Sequence, residues 1–339
     1  MKLWIDKTAW VSPRAQRIVA GLHPPDIRRI AVIKHGALGD MLLTRPFLIT
    51  LREYFPEAQI TLSAASHYLN GIPEDLIDRL HVGFGKKERG KSLPETLRNY
   101  KSLGAHDLLF DLTSNARSLW VTRLNPARVK IGFIPSGGHR RFFKLIYDVA
   151  APRTEYKFEA ETFLDQLNVL GLQHRWPLRF DLPAQERSIP EKYILYFPGA
   201  SDPYKCWPAE HFTGLIGQML ERFGERRHVV LGGVQEWEKQ RAREVAAPFR
   251  NNEKVVFREG GEAAFALVAH AECLIGNDTG IRNYAIAAGV PTVGIFFSTL
   301  PFRYLPRFGK HRAVFELEGG APAVEKVYRA ALEILAEPS

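Results

Sequence analysis

The feature that most constrains the fold is an alternation of short apolar segments with longer amphipathic ones. The apolar segments have the length and the β-branched content of buried strands, and the segments between them place apolar residues at helical spacing. Strands that alternate with helices form parallel sheets, so the pattern predicts an α/β protein. The predicted strands are IAVIK (30–34), QITLSAA (59–65), HDLLFDL (106–112), KIGFI (130–134), YILYF (193–197), HVVLGG (228–233), KVVF (254–257), ECLIGND (272–278) and PTVGIFF (291–297).

The alternation breaks once, at a stretch rich in proline and charge over residues 175–192. A chain of 339 residues is long enough for two domains at roughly 150 residues each. We therefore predict two doubly wound Rossmann-like domains, residues 1–175 and 190–320. We also predict an amphipathic C-terminal helix within residues 321–339, and the first domain is a candidate surface for this helix to pack on. Ligands of such sheets bind beyond the carboxyl ends of the strands.

Charge and cysteine content narrow the class of partner and the compartment. The formal net charge is +9, which favours anionic partners: nucleic acid, phosphorylated small molecules or an anionic membrane surface. The two cysteines are too few for a disulfide framework. The sequence shows neither a run of ~18 apolar residues nor a signal-peptide pattern, so we expect a cytoplasmic protein.

The segment HGALGD (35–40) follows the first predicted strand. Gly36 and Gly39 allow a tight turn into a helix. Asp40 has two interpretations, a helix N-cap or a carboxylate that binds or takes a proton.

Two turns in the second half suit a phosphate. In the first, Gly199, Ala200 and Ser201 follow a strand, and Lys205 supplies a positive charge. In the second, Thr279 and Gly280 open a helix after Asp278, although Thr279 is equally a plain cap. Two such turns in one domain favour a diphosphate ligand.

Other charged segments are ambiguous. Glu236 and Glu238 lie after a further strand, as ribose acceptors or as an acidic first helical turn. GKKERGKS (85–92) matches a phosphate-loop pattern, and LLFD (108–111) resembles its acidic partner. The loop interior is bulky and charged, and Pro94 argues against a clean helix after it. GGHRRFFKLIYD (137–148) is either a solvated basic face or an anionic acceptor pocket.

Taken together, four segments resemble the heptosyltransferase family, the glycosyltransferases that build the lipopolysaccharide inner core from ADP-heptose. The ordered set carries the resemblance, rather than any one segment. The segments are IAVIKHGALGDMLLTRPFLITLREYFPEAQITL, DLLFDLTSNARSLWVTRLNPARVKIGF, FPGASDPYKCWPAEHF and LIGNDTGIRNYAIAAGVPTVGIF.

The resemblance implies a GT-B architecture, two Rossmann-like domains facing a central cleft, with the acceptor on the first domain and the nucleotide sugar on the second. It implies inverting transfer without a metal or a bound cofactor. The implied partners are a nucleotide sugar, an anionic glycolipid and, transiently, the inner membrane surface, with no nucleic acid. The enzyme would then be cytoplasmic or peripheral at the inner face of that membrane.

Carried over residue by residue, the resemblance makes Asp40 the general base and Lys205 the cation that offsets charge on the leaving diphosphate. With the strand-end carboxylate Glu236, the predicted donor site comprises Gly199, Ala200, Ser201, Glu236, Asp278, Thr279, Gly280 and Asn283. The predicted acceptor site comprises Gly36, Gly39, Asn115, Arg117, Arg140, Arg141 and Lys144.

The chain departs from the family at one place. Three residues after the glycine of D-T-G the family usually carries histidine, and here that residue is Asn283, which cannot be cationic. The leading hypothesis is transfer of heptose from ADP-heptose to a core acceptor. The alternatives are another nucleotide sugar on the same fold, a phosphate-loop kinase, and a non-catalytic basic binding module.

Overall fold

A computed structural model describes residues 1–3, 9–135, 142–261 and 263–336. The chain divides into two compact units, Met1–Phe180 and Asp181–Ser339. The boundary lies inside the proline-rich stretch at 175–192. No helix in the described ranges is long and apolar enough to cross a membrane.

The first unit is a sheet with helices on its faces. Its strand order is β1-β7-β6-β5-β2-β3-β4, and every pair is parallel except β1 with β7. Without the edge strand β1, this is the doubly wound order of dinucleotide-binding sheets. The elements are β1 (Trp10–Val11), α1 (Pro13–Ala20), β2 (Arg29–Ile33), α2 (Leu38–Leu42), α3 (Arg45–Tyr54), β3 (Gln59–Ala65), β4 (Arg79–Gly83), α4 (Leu93–Lys101), β5 (His106–Asp111), α5 (Ala116–Leu124), β6 (Ala127–Phe133), β7 (Val149–Ala151) and α6 (Glu159–Asn168).

Proline determines where the helices after β2 break. Pro46 lies in the first turn of α3, where its missing N–H is tolerated, so α2 ends and α3 starts anew. The apolar face of α3 then packs on the sheet, with the Phe47 ring edge-on to Phe110 of β5 at 5.2 Å between centroids. The short α2 is thereby held at the carboxyl end of β2.

The second unit has a fully parallel sheet of order β10-β9-β8-β11-β12-β13, which is the Rossmann order. Its elements are β8 (Tyr193–Phe197), α7 (Ala209–Arg222), β9 (Arg227–Leu231), α8 (Glu236–Ala246), β10 (Val255–Arg258), α9 (Ala263–Ala269), β11 (Cys273–Asn277), α10 (Gly280–Ala287), β12 (Thr292–Ile295), β13 (His311–Val314) and α11 (Val324–Ala336).

The C-terminal helix α11 belongs to the second unit. Val327, Ala331 and Ile334 are buried in the same core cluster as Phe212 and Ile216 of α7. This apolar face is therefore used within the second unit.

The α/β prediction is confirmed, and all nine predicted strands are present within a few residues of their predicted bounds. The strands that the pattern did not predict are β1, β4, β7 and β13. They are short or lie at a sheet edge, where half of the surface is not buried and the apolar run is correspondingly weak.

Candidate functional site

Each sheet has a switch point, where the strand order reverses and loops from two adjacent strands diverge to leave a crevice. In the first unit it lies between β2 and β5, and in the second between β8 and β11. The segments after these four strands hold most of the predicted site residues. The fold thus brings residues far apart in sequence to one edge within each unit.

Asp40 is not a helix N-cap. Helix α2 has Ala37 as its N-cap residue and makes no side-chain cap hydrogen bond, and Asp40 is the third residue of the helix. The Asp40 carboxylate instead faces Lys34, with Oδ1 3.7 Å from Nζ, and Oδ1 accepts no hydrogen bond from the described residues. Its side chain is 27% exposed, although Oδ1 itself is buried.

Lys34 is a buried cation between two carboxylates. Its side chain is 4% exposed, and its Nζ lies 3.9 Å from Oε1 of the fully buried Glu159 as well as near Asp40. The Nζ also lies 4.3 Å from the centre of the Phe163 ring, a favourable cation–π position. Glu159 is bound a second time, by Arg153 at 2.5 Å. The cluster holds Lys34, and Lys34 in turn holds the Asp40 carboxylate.

Gly36 leaves the space that this arrangement needs. A Cβ on Gly36 would lie 2.7 Å from the Asp40 Cβ and 2.9 Å from the Lys34 Cε, both inside van der Waals contact. Gly39 is buried within α2. The absence of a side chain at Gly36 therefore serves the approach of Asp40 to Lys34 as well as the turn.

The turn after β5 is held by a buried carboxylate. Asp111 accepts hydrogen bonds from the backbone N–H groups of Thr113 and Ser114 and from the Tyr147 hydroxyl. Burial raises the pKa of Asp111. Its oxygens serve this turn, which weakens its interpretation as the acidic partner of a phosphate loop. Asn115 likewise has a structural role, because its Oδ1 accepts from the Ser118 N–H and caps α5.

Arg117, in the first turn of α5, provides positive charge beside the Asp40 turn. It forms no ion pair with a carboxylate of the described ranges, and its field lowers the pKa of two nearby histidines, His35 and His67. Burial is the larger cause for both, and the pKa of His35 falls to about 3. Neutral imidazoles beside a free guanidinium leave the local field positive, as an anionic acceptor requires.

Of the predicted basic acceptor residues near residue 140, the structure describes one. Lys144 lies exposed in the short turn Phe143–Leu145. Arg140 and Arg141 fall outside the described residues.

In the second unit, one buried side chain holds the loop after β8. The Asn277 amide nitrogen donates to the carbonyls of Pro198 (3.0 Å) and Gly199 (3.1 Å), and its Oδ1 accepts from the Trp207 N–H at 2.9 Å. Asn277 is fully buried at the end of β11. It therefore ties the first predicted phosphate turn to the second.

The loop after β8, which Asn277 holds in place, carries two polar side chains, Ser201 and Lys205. Ser201 is exposed, its hydroxyl 3.4 Å from the carboxylate of Asp202. Lys205 is half-buried at the end of the turn Pro203–Lys205, and its Nζ lies 5.9 Å from the centre of the Tyr204 ring. Within the described ranges it forms no ion pair. Ala200 is buried.

The turn after β11 combines a helix cap with a hydrogen-bonded carboxylate. Thr279 is the N-cap of α10 and accepts from the Ile281 N–H, so the plain-cap interpretation of its side chain is observed. Asp278 accepts from the Thr299 hydroxyl through Oδ2 at 2.7 Å. Gly280 starts α10, at the positive end of the helix dipole.

Asn283 and its neighbour Arg282 are both buried in α10. The Asn283 Oδ1 has no hydrogen-bond donor among the described residues. Arg282 donates both Nη groups to the Tyr304 carbonyl at 3.1 Å, and its guanidinium lies over the Phe296 ring. Burial lowers the pKa of Arg282 to about 10. Arg282 therefore anchors α10.

The two glutamates of α8 have different surroundings. Glu236 is 74% exposed and pairs with Arg243 at 2.8 Å. Glu238 is buried and accepts from the Gln235 N–H, and burial raises its pKa. A Cβ on Gly199 would lie 3.0 Å from the Glu238 Oε1, which places this carboxylate beside the loop after β8. The Glu238 carboxylate thus lies next to the loop after β8, whereas Glu236 pairs with Arg243 at the surface.

GKKERGKS does not form an anion cradle. The Glu88 carboxylate accepts from the Gly85 N–H (2.8 Å) and from the Ser66 hydroxyl, and so occupies the loop with a negative charge. Lys91 pairs with Glu95 at the surface. The expectation that Pro94 prevents a clean helix is wrong: α4 begins at Leu93, and proline is favourable in its first turn.

The sequence analysis did not single out three residues that shape the two switch points: Lys34, Glu159 and Asn277. A signal existed for Lys34, since a lysine that ends an apolar strand is unusual. Glu159 and Asn277 had no local signal, because their partners are distant in sequence. Among the described residues, no group of three or more histidine, cysteine, aspartate or glutamate side chains is arranged to hold a metal ion.

Comparison with known proteins places the chain in a family. The model of glycosyltransferase family 9 (heptosyltransferase) matches residues 96–330. Lipopolysaccharide heptosyltransferase 3 of Escherichia coli K12 is 25% identical over 286 residues, covering 77% of this chain and 80% of that protein.

Two solved structures share the fold. E. coli heptosyltransferase WaaC with ADP has a TM-score of 0.72 at 19% identity and covers 90% of this chain and 99% of its own. The same enzyme with ADP-2-deoxy-2-fluoro heptose has a TM-score of 0.71 at 18% identity, and the match covers 92% of this chain and 100% of the enzyme's chain. The predicted GT-B fold class is thereby confirmed, and with most of its length matched by the family model, the chain belongs to glycosyltransferase family 9, the heptosyltransferases.

Proposed function

We propose that this protein transfers a heptose from ADP-heptose to an inner-core lipopolysaccharide acceptor, with inversion and without a metal ion. The observation that carries the proposal is the Asp40 carboxylate, held beside the buried Lys34 on a side chain that is partly exposed. Family membership supplies the reaction class. The donor follows from relatives named as lipopolysaccharide heptosyltransferases and from the ADP-heptose analogue bound to one of them.

In the proposed reaction Asp40 is the general base on the acceptor side. It takes the proton of the acceptor hydroxyl as that oxygen bonds to the anomeric carbon of heptose. The bond from this carbon to the phosphate oxygen breaks, and its electron pair leaves with ADP. Attack opposite to the leaving group inverts the anomeric centre. Lys34 keeps the Asp40 carboxylate in position, and Gly36 leaves room for it.

On the donor side, positive charge stabilises the leaving diphosphate. Lys205 is a half-buried ammonium with no ion pair in the described ranges, and the start of α10 adds backbone N–H groups. Such preorganised charge does the work that a metal ion does in other transferases. We assign the ribose hydroxyls to Glu238, since its carboxylate lies at the strand ends next to Gly199.

The acceptor side is cationic, with Arg117 beside the Asp40 turn. This charge suits a phosphorylated, acidic glycolipid, and we place the enzyme in the cytoplasm, peripheral at the inner membrane face. The kinase alternative lost support, because Glu88 fills the GKKERGKS loop. Replacing Lys91 with alanine should then leave activity largely intact. A non-catalytic basic module is disfavoured by family membership.

The proposal is tested first by thermal shift with ADP, UDP, GDP and CMP sugars. We expect stabilisation by ADP-heptose above the others. Preference for a non-adenine nucleotide would contradict the donor and favour the same fold with another nucleotide sugar, for which Asn283 is the sequence signal. Transfer assays in EDTA then test metal independence, and NMR of the product tests inversion, where a retained anomeric configuration contradicts the mechanism.

A further inference from the structure

The first unit carries an apolar groove that the proposed reaction does not use. It is a cavity of about 610 Å³ between α5 and the turn Phe143–Leu145, and we name it the α5 groove. Its wall residues are Ala116, Leu119, Trp120, Leu124, Phe142 and Leu145.

The side chains at the rim of the α5 groove are large and apolar, yet they are exposed to solvent. Trp120 is 57% exposed, Phe142 60% and Leu145 76%. Single exposed apolar side chains are ordinary, but three large ones around one apolar cavity form a contiguous patch of the kind that marks an interaction site. The patch lies on packed structure, because Phe143 and Leu119 belong to a buried hydrophobic cluster.

The charge around the groove identifies the partner. Arg123 lines it, Lys144 is exposed beside it, and neither pairs with a carboxylate in the part of the chain that the structure describes. In sequence, residues 112–147 contain no aspartate or glutamate and seven basic residues, Arg117, Arg123, Arg128, Lys130, Arg140, Arg141 and Lys144. Surfaces that enter the headgroup region of an anionic bilayer typically combine a tryptophan, apolar side chains and unpaired basic residues.

The position of the groove on the unit fits such a role. Helix α5 begins directly after the turn that follows β5, at the switch-point edge where the Asp40 turn also lies. Arg117, one residue after the start of the groove wall at Ala116, acts electrostatically on His35 of the Asp40 turn. A bilayer in contact with the groove would therefore lie close to the acceptor side of the unit.

We propose that the α5 groove is the surface by which this protein docks on an anionic phospholipid bilayer, with Trp120, Phe142 and Leu145 inserted among the headgroups and Arg123 and Lys144 on the lipid phosphates. This deepens the proposed function, on which it rests, because a glycolipid acceptor is what brings the enzyme to a membrane.

Vesicle co-sedimentation tests the proposal without reference to activity. The full-length protein is mixed with phosphatidylcholine vesicles with and without phosphatidylglycerol, at low and high salt. We expect binding to the anionic vesicles, weakened by salt. Leu145→Ser should weaken it by about tenfold or more, from lost apolar burial. Arg123→Glu should weaken it by about 25-fold, since one charge near the surface contributes roughly fivefold and the reversal changes the charge by two.

Matched controls lie in the second unit. Leu317→Ser removes a leucine that is 88% exposed, and Arg258→Glu reverses an exposed arginine; both should bind like the unmodified protein. Lipids brominated in the acyl chain should quench tryptophan fluorescence through Trp120. We expect Trp120→Phe to remove that quenching, while Trp176→Phe, at another exposed tryptophan, retains it.

Three results would overturn the proposal: no binding to anionic vesicles, equal binding by the groove variants, or loss of concentration-dependent self-association in those variants, which would make a second copy the occupant. Transfer to a soluble, lipid-free acceptor separates the two proposals. Normal transfer by Leu145→Ser with lost vesicle binding supports both, and vesicle binding without any transferase activity defeats only the proposed function.

Discussion

Substituting alanine for Gly36 adds one methyl group at the place where the proposed base and its cation meet. The backbone of Gly36 lies outside the left-handed region, so alanine is allowed there. The new Cβ would lie 2.7 Å from the Asp40 Cβ. Carbon atoms in contact prefer about 3.5–4.0 Å, so the Asp40 side chain must move by about 1 Å.

The consequence for catalysis follows from this displacement. A misplacement of about 1 Å costs roughly 10²-fold in rate, which corresponds to about 2.7 kcal/mol of transition-state stabilisation. Overpacking should cost the fold only about 1–3 kcal/mol. We therefore expect Gly36→Ala to remain folded, with kcat lowered about 10²-fold and KM for the nucleotide sugar nearly unchanged.

Steady-state transfer kinetics measure the rate loss, and urea unfolding measures the stability. Gly90→Ala is the matched control, because a Cβ there meets nothing within 4 Å, and it should behave like the unmodified protein. Asp40→Asn should be nearly inactive. If Gly36→Ala folds and keeps kcat within about twofold, the steric argument is wrong, and if Asp40→Asn keeps full activity, Asp40 is not the base.

Four further predictions concern the second unit. Lys205→Met should lower kcat about 10²–10³-fold without changing the urea midpoint, since its ammonium stabilises the leaving group and has no ion pair in the described ranges. Asn277→Ala should destabilise the fold by about 2–4 kcal/mol in urea unfolding, because three buried backbone groups lose their partner. Glu238→Gln should raise KM for the donor, whereas Glu236→Gln should leave KM unchanged; equal effects would contradict the ribose assignment. Burial lowers the pKa of His311 to about 3, so between pH 6.5 and 3 the unfolded chain binds a proton that the folded chain does not. The free energy of unfolding must therefore decrease as the pH is lowered through that window. In urea unfolding at pH 7, 5 and 4, His311→Gln should show a weaker dependence of this free energy on pH than the unmodified protein.

Much of the fold could be predicted from the local sequence. YILYF coincides with β8, because a strand buried on both faces needs an uninterrupted apolar run, and QITLSAA coincides with β3 even though Thr61 and Ser63 interrupt its apolar run. The turns after β2, β8 and β11 were also predicted in sequence, since glycine and small residues there permit close backbone approach. Asp40, Lys205 and Asp278 stand in those turns, and their proposed roles remain predictions.

What each side chain does was decided by contacts that no local pattern contains. In the sequence Asp40 is equally compatible with an N-cap, and only the tertiary structure shows that its carboxylate faces Lys34, itself held by Glu159 from α6. Glu236 and Glu238 are two residues apart, yet one faces Arg243 and the other the loop after β8, because neighbouring helical positions point in different directions. The sequence by itself determined the strands and the turns, since these depend on neighbouring residues. The tertiary structure alone decided which charges meet, because burial and packing bring together side chains from strands and helices that are distant in the chain.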